Sequence, residues 1–123
     1  MNQIVYRDPR EKYQCYLRGQ MVAICEALLN EDIGVVNASR RLTSLGHELW
    51  ENPNNVEGFT TFVAIESETD HLPVDKERHN WNEEALERKD KEIAEAEQSY
   101  RDSALQAASE LLLIVGPSRD LYE

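Results

Sequence analysis

The last third of the sequence constrains the fold more than any other part. From Asn80, whose spacing to Glu83 is that of a capping box, the chain runs through Ala-, Glu-, Lys- and Leu-rich sequence to the stop signal Gly116-Pro117. Leu86, Ile93, Tyr100, Ala104, Ala107, Leu111 and Ile114 mark its apolar stripe. Asn82 is an alternative cap. The segment predicts one helix of roughly 33 residues, or roughly 50 Å at 1.5 Å per residue. Glu84–Arg88, Glu87–Lys91 and Glu97–Arg101 are spaced as ion pairs with the acid first, the better orientation on a solvated face.

Two shorter helices precede it. Asp8 before Pro9 suits a helix start, and Tyr13, Leu17, Gln20 or Met21, Ile24 and Leu28, widened by Val22, Cys25 and Leu29, recur every three or four residues. Asn30-Glu31-Asp32 interrupts this pattern, and Val35, Ala38, Leu42, Leu45 and Leu49 then repeat it. So short a turn favours an antiparallel hairpin. Gly34 and Gly46 are expected to weaken the second helix locally. From Glu51 to Trp81 periodicity fades, with Phe59, Phe62, Val63 and Ile65 reading as one short helix, or as a small strand pair around 61–65.

The expected fold is therefore all-α and single-domain over residues 1–123, an antiparallel hairpin on a long C-terminal helix with the irregular segment between. Helices of roughly 22 and 19 residues reach only roughly 33 and 28 Å. The N-terminal half of the long helix should then overhang the bundle, where it offers a surface for a second copy of the chain.

Charge separates the two parts of the chain. Residues 1–50 hold six acids and six bases, whereas residues 51–123 hold eighteen acids against seven bases, so the whole net charge of −11 is C-terminal. Such a surface repels phosphate backbones, which disfavours nucleic-acid binding, and it complements a basic protein partner. The longest apolar run, Leu111 to Val115, falls far short of the ~20 residues of a membrane span. The opening residues show neither a basic start with an apolar stretch nor a cleavage site. Cys15 and Cys25 lie ~15 Å apart along one helix, too far for a disulfide, and fit free thiols in a reducing compartment. A cytoplasmic location follows as the expectation.

Glu66, Glu68, Asp70 and His71 form the densest group of chemically capable side chains. In an extended chain the three acids would share one side and present oxygens to a divalent cation, with His71 nearby. The glycine and terminal glutamate of an EF-hand loop are missing, and His47 and His79 lack helical metal-site spacing. The structural alternative uses Arg40 and Arg41: a guanidinium near the apolar stripe needs carboxylates, and Glu68 or Asp70 would tie the irregular segment to the hairpin. Trp50 and Trp81 bracket that segment and read as anchors onto the core.

The runs Ala38-Ser39-Arg40-Arg41-Leu42 and Phe62-Val63-Ala64-Ile65-Glu66-Ser67-Glu68-Thr69-Asp70-His71-Leu72-Pro73, with Trp81 and Ala85-Leu86, resemble a group of small uncharacterised bacterial proteins. The resemblance covers about half the chain. It implies a bacterial helical protein and carries over no catalytic residue; separately, no cofactor or metal is expected. The leading functional expectation is a non-enzymatic module whose acidic region meets a basic protein, as an immunity protein meets a toxin. The alternatives are a metal-dependent hydrolase using the 66–71 cluster, and a structural or regulatory homodimer through the long helix.

Overall fold

The computed structural model describes residues 9–116, the side chains of 75–77 excepted. Its helices are α1 (Pro9–Leu29), α2 (Val35–Leu49), α3 (Phe59–Thr69) and α4 (Glu83–Val115), with 3-10 turns at Pro53–Asn55 and Asp75–Asn80. No strand occurs among the described residues. The short-helix reading of the irregular segment holds because Phe59, Phe62, Ile65 and Thr69, three or four residues apart, are all buried on one side of α3. Asp8 and Pro117, expected to mark helix ends, lie outside the described residues.

The end of α1 and the start of α4 have identifiable causes. After α1 the chain closes with Glu31 N–H donating to Leu28 O and Asp32 N–H donating to Ala27 O, a Schellman pattern. Glu31 takes the left-handed position at φ 61°, where glycine is the usual occupant. α4 is capped by Asn82, whose Oδ1 accepts the N–H of Ala85 at 2.8 Å. Asn80, the first choice from spacing, instead ends the preceding 3-10 turn. Two residues closer to the helix, Asn82 has the extended backbone a cap requires.

One apolar cluster draws on all four helices, centred on Met21, Cys25, Ala38, Leu42, Phe59, Phe62, Ala108 and Leu111. α4 contributes the buried Ala104, Ala107, Ala108, Leu111 and Val115 to it, with the half-buried Tyr100, Leu105 and Leu112 packed against them. The expected stripe fails at Ile114, which is 37% exposed while Val115 is fully buried. The physical reason is phase: a seven-residue series drifts by roughly 20° per heptad on a straight helix. Followed from Leu86 through Ile93, Tyr100 and Ala107, that series has rotated outward by Ile114. Tyr13 also leaves its expected core position, for it is 50% exposed and its hydroxyl donates to Glu48 Oε2 at 2.6 Å. That bond raises the Tyr13 pKa, chiefly because it requires the proton to stay on the phenol.

Two glycines let the elements approach closely. Gly58, at φ 89° before α3, faces α4 so tightly that an added Cβ would lie 2.7 Å from the Ala107 carbonyl oxygen. Gly46, in the interior of α2, lies beneath the Phe59 ring. The weakening expected from Gly46 is therefore offset by a contact that only a residue without a side chain permits. Trp50 anchors the following segment through an edge-to-face contact with Phe59 at 5.5 Å. Trp81 does not reach the core, being 37% exposed with the Lys89 ammonium 5.9 Å from its ring centroid.

Among the described residues, Ser39 Oγ and Thr43 Oγ1 are buried without a hydrogen-bond partner. An unsatisfied buried hydroxyl costs about 1–3 kcal/mol. Thr43→Val keeps the shape and removes the hydroxyl, so it should raise unfolding stability by about 1 kcal/mol. A urea midpoint equal to or below that of the parent would show that this hydroxyl is satisfied in solution.

Candidate functional site

The residues singled out by sequence fall around the end of α3 and the segment that crosses α4. Because residues 59–69 are helical, Glu66 and Glu68 diverge by about 200° around α3 instead of sharing a side. Glu66 is half-buried, whereas Glu68, Asp70 and His71 are exposed. The extended presentation that would gather three carboxylates around one cation is thus not formed. Among the described residues no group of three His, Cys, Asp or Glu side chains is placed to hold a metal ion.

Arg40 and Arg41 point in different directions, as consecutive helical residues must. The Arg40 guanidinium reaches the end of α3, where Nη2 donates to Thr69 O at 2.7 Å and to Leu72 O at 2.5 Å. The last carbonyls of a helix lack internal partners and carry its negative dipole end, which a cation satisfies on both counts. Arg40 so joins α2 to the irregular segment through main-chain oxygens. Thr69 Oγ1 closes the same turn by donating to Ile65 O at 2.6 Å. Arg41 is exposed on the side of α2 that faces α1.

Beyond α3 the chain straps onto the first turns of α4. Leu72 and Pro73 are buried, His71 Nε2 lies 2.9 Å from Glu92 Oε2, and Arg78 makes a two-pronged bond with Asp90 at 2.7 and 3.1 Å. The hydrogen bond to His71, followed by that to Lys89, holds the Glu92 carboxyl below the usual glutamate range. Asp90 is likewise lowered by its bond to Arg78. Both acids keep their charge and the strap keeps its contacts above the ordinary carboxylate range. The contribution is lost as pH falls through the depressed values. All of these side chains are solvent-accessible, so each pair contributes little to stability.

The least foreseeable interaction lies at the start of α2. Its N-cap position is Gly34, which has no side chain to accept from the first turn. Glu97, from the middle of α4, supplies the acceptors instead: Oε1 takes the Val35 N–H at 2.6 Å and Oε2 the Val36 N–H at 2.8 Å. Arg101, the residue spacing had paired with Glu97, bonds Glu31 in the α1–α2 turn. Glu84–Arg88 and Glu87–Lys91 form no ion pair among the described residues. Gly34 reads in the sequence only as a local weakness of the second helix, and the carboxylate that caps its first turn lies 63 residues away.

The Cys25 thiol shows no activation. Cys25 is fully buried, and burial, followed by the neighbouring Glu26, pushes its pKa up to about 12. Its thiolate is not populated near neutrality. Among the described residues no helix is long and apolar enough to cross a membrane.

Four helices around one apolar cluster, with an acidic long helix secured by a strap and a carboxylate cap, define a small all-helical protein. The model of the family described as "Protein of unknown function (DUF2489)" matches residues 7–111, and the chain belongs to that family. No curated protein matches the chain. No solved structure matches it either.

Proposed function

We propose that this protein is a non-catalytic binding module that engages a basic protein surface through the N-terminal half of α4. The carrying observation is that α4 contributes no buried residue between positions 83 and 103, although its next twelve residues supply five. A helix half so lightly used by its own core is free to serve a partner. Leu86 and Ile93 are half-buried along it without joining the core cluster, and Glu83, Glu84, Glu87 and Glu95 are exposed with no ion pair among the described residues. Apolar contact flanked by unpaired acid is the complement of a basic, partly apolar surface.

In this reading α1 and α2 form an antiparallel hairpin that holds α4 in place. Tyr13–Glu48 supports it at one end and Glu31–Arg101 at the other. Occlusion of a toxin's nucleic-acid-binding cleft is one specific form of the proposal. The test is capture from lysate of the source cell by the tagged protein and by a variant with Glu83, Glu84, Glu87 and Glu95 all changed to Gln. A basic protein should be retained by the parent at low salt. It should be lost at about 0.5 M salt, where screening shortens to a few ångströms, and it should be lost with the variant. Equal retention by parent and variant, or no basic protein on either, would refute the proposal.

A further inference from the structure

The face formed by α1 and α2 has the opposite character to the acidic helix. Tyr16, Ile24, Arg40, Arg41 and Leu45 line a hollow of about 320 Å³ between the two helices. Its floor is apolar, with Ile24 buried and Leu45 half-buried, while Tyr16 is left 58% exposed. The Tyr16 ring is held in place by stacking on Tyr13 at 6.1 Å with planes 18° apart. Two stacked aromatic rings are thus left largely in solvent, and Tyr is enriched where proteins meet partners.

The charge around this hollow is local and positive. Arg41 is exposed and makes no ion pair among the described residues. Lys12, one helical turn before Tyr16, is also exposed and without an ion pair among them. Arg40 adds its charge at the edge, although its guanidinium serves the end of α3. Glu48, on the same side of α2, accepts the Tyr13 hydroxyl and sets one carboxylate against these three cations. In a chain of net charge −11, cations collected around an apolar floor favour an anionic occupant with apolar side chains. Gly19, on the neighbouring turn of α1, has nothing within 4 Å of its Cβ position and leaves the approach open.

We propose that this groove is a second docking site, which receives an acidic segment of a partner protein. Apolar residues of the segment rest on Ile24 and Leu45, its backbone lies beside Tyr16, and its carboxylates meet Arg41 and Lys12. The site is separate from the acidic surface of α4, so the two bind partners of opposite charge.

The test uses fluorescence anisotropy with a fluorescein-labelled peptide of repeated Glu-Leu-Ala-Glu units and a counterpart with Gln for every Glu. At low salt the acidic peptide should bind and the Gln peptide should bind at least about tenfold more weakly, since charge complementarity supplies the discrimination. R41E should weaken the acidic peptide by about tenfold or more, and Y16A should weaken both peptides, because it removes apolar contact. Both residues are exposed, so circular dichroism should show both variants folded as the parent is. No binding of the acidic peptide, equal binding of the two peptides, or unchanged binding by folded R41E would overturn the proposal. Sedimentation of the chain alone covers the remaining occupant: a dimer lost at high salt and lost in R41E would assign the groove to a second copy and overturn the foreign partner. R41E leaves the acids of α4 intact, so basic-protein capture through α4 should persist in that variant and the two proposals fail independently.

Discussion

Gly46→Ala should destabilise the protein by about 2–3 kcal/mol, even though alanine is the better helix former by about 1 kcal/mol. The new Cβ would stand 2.0 Å from Phe59 Cε1, 2.4 Å from Cζ and 2.8 Å from Cδ1, all far inside van der Waals contact. The ring has little room to yield. It is fully buried, with the edge of His47 at 5.7 Å and that of Trp50 at 5.5 Å. Relief therefore requires α2 and α3 to separate, which opens the core that Phe59 and Phe62 fill. In a thermal melt the expected loss is about 10 °C for a chain of this size. The Phe59→Leu background isolates the cause: there the same glycine change should cost less, because Cε1 and Cζ, the two nearest atoms it strikes, have been removed. A parent-like melting temperature for Gly46→Ala alone would refute the close approach.

Glu97→Ala should cost about 2 kcal/mol, because it removes both charge-assisted acceptors from the first turn of α2 at once. The Val35 and Val36 N–H groups would be left to whatever water enters beside Gly34. Glu97→Gln, which keeps one carbonyl oxygen and loses the charge, should cost less than half as much. The decisive variant is the second-site repair. Gly34→Ser places a local N-cap where the helix lacks one, and with alanine at 97 the carboxylate 3.2 Å from that Cβ position is gone. The double variant should therefore recover about 1 kcal/mol relative to Glu97→Ala. Urea denaturation of the four proteins measures all of this, and an unchanged midpoint for Glu97→Ala would show that the cap does not act in solution.

These two cases also show what a single sequence conveys. Helix positions were legible because period and punctuation are local: the stripe from Leu17 to Leu28, the break at Asn30, and the return of the pattern at Val35 each depend on neighbours in the chain. The long helix was legible for the same reason. What the sequence did not convey is which face meets which. Gly46 reads as a weak point in α2 until Phe59 is seen above it. Glu97 reads as half of a surface ion pair until Gly34 is seen without a cap. The site residues divide in the same way. That Glu66, Glu68, Asp70 and His71 stand close in sequence was plain, but helical geometry parts the first two, and His71 turns to Glu92 on another element. Arg40 finds main-chain oxygens at the end of α3, a partner that no side-chain pattern announces.

The crossing of Glu97 onto α2 has a consequence for how the chain tolerates length variation. Two of the attachments of α4 set where other helices begin: the Glu97 carboxylate reads the start of α2, and the backbone around Ala107 reads the entry to α3 at Gly58. The interval between them, roughly 15 Å of helix, is a ruler that sets where two other helices begin. One inserted residue within it would turn one mark by about 100° relative to the other, and both could not be met together. Upstream of Glu97 no buried side chain of α4 imposes such a gauge. What holds the acidic half in register is the strap alone, through the exposed pairs His71–Glu92 and Arg78–Asp90, so a change of length there disturbs weak contacts, whereas one in the half that measures disturbs the core.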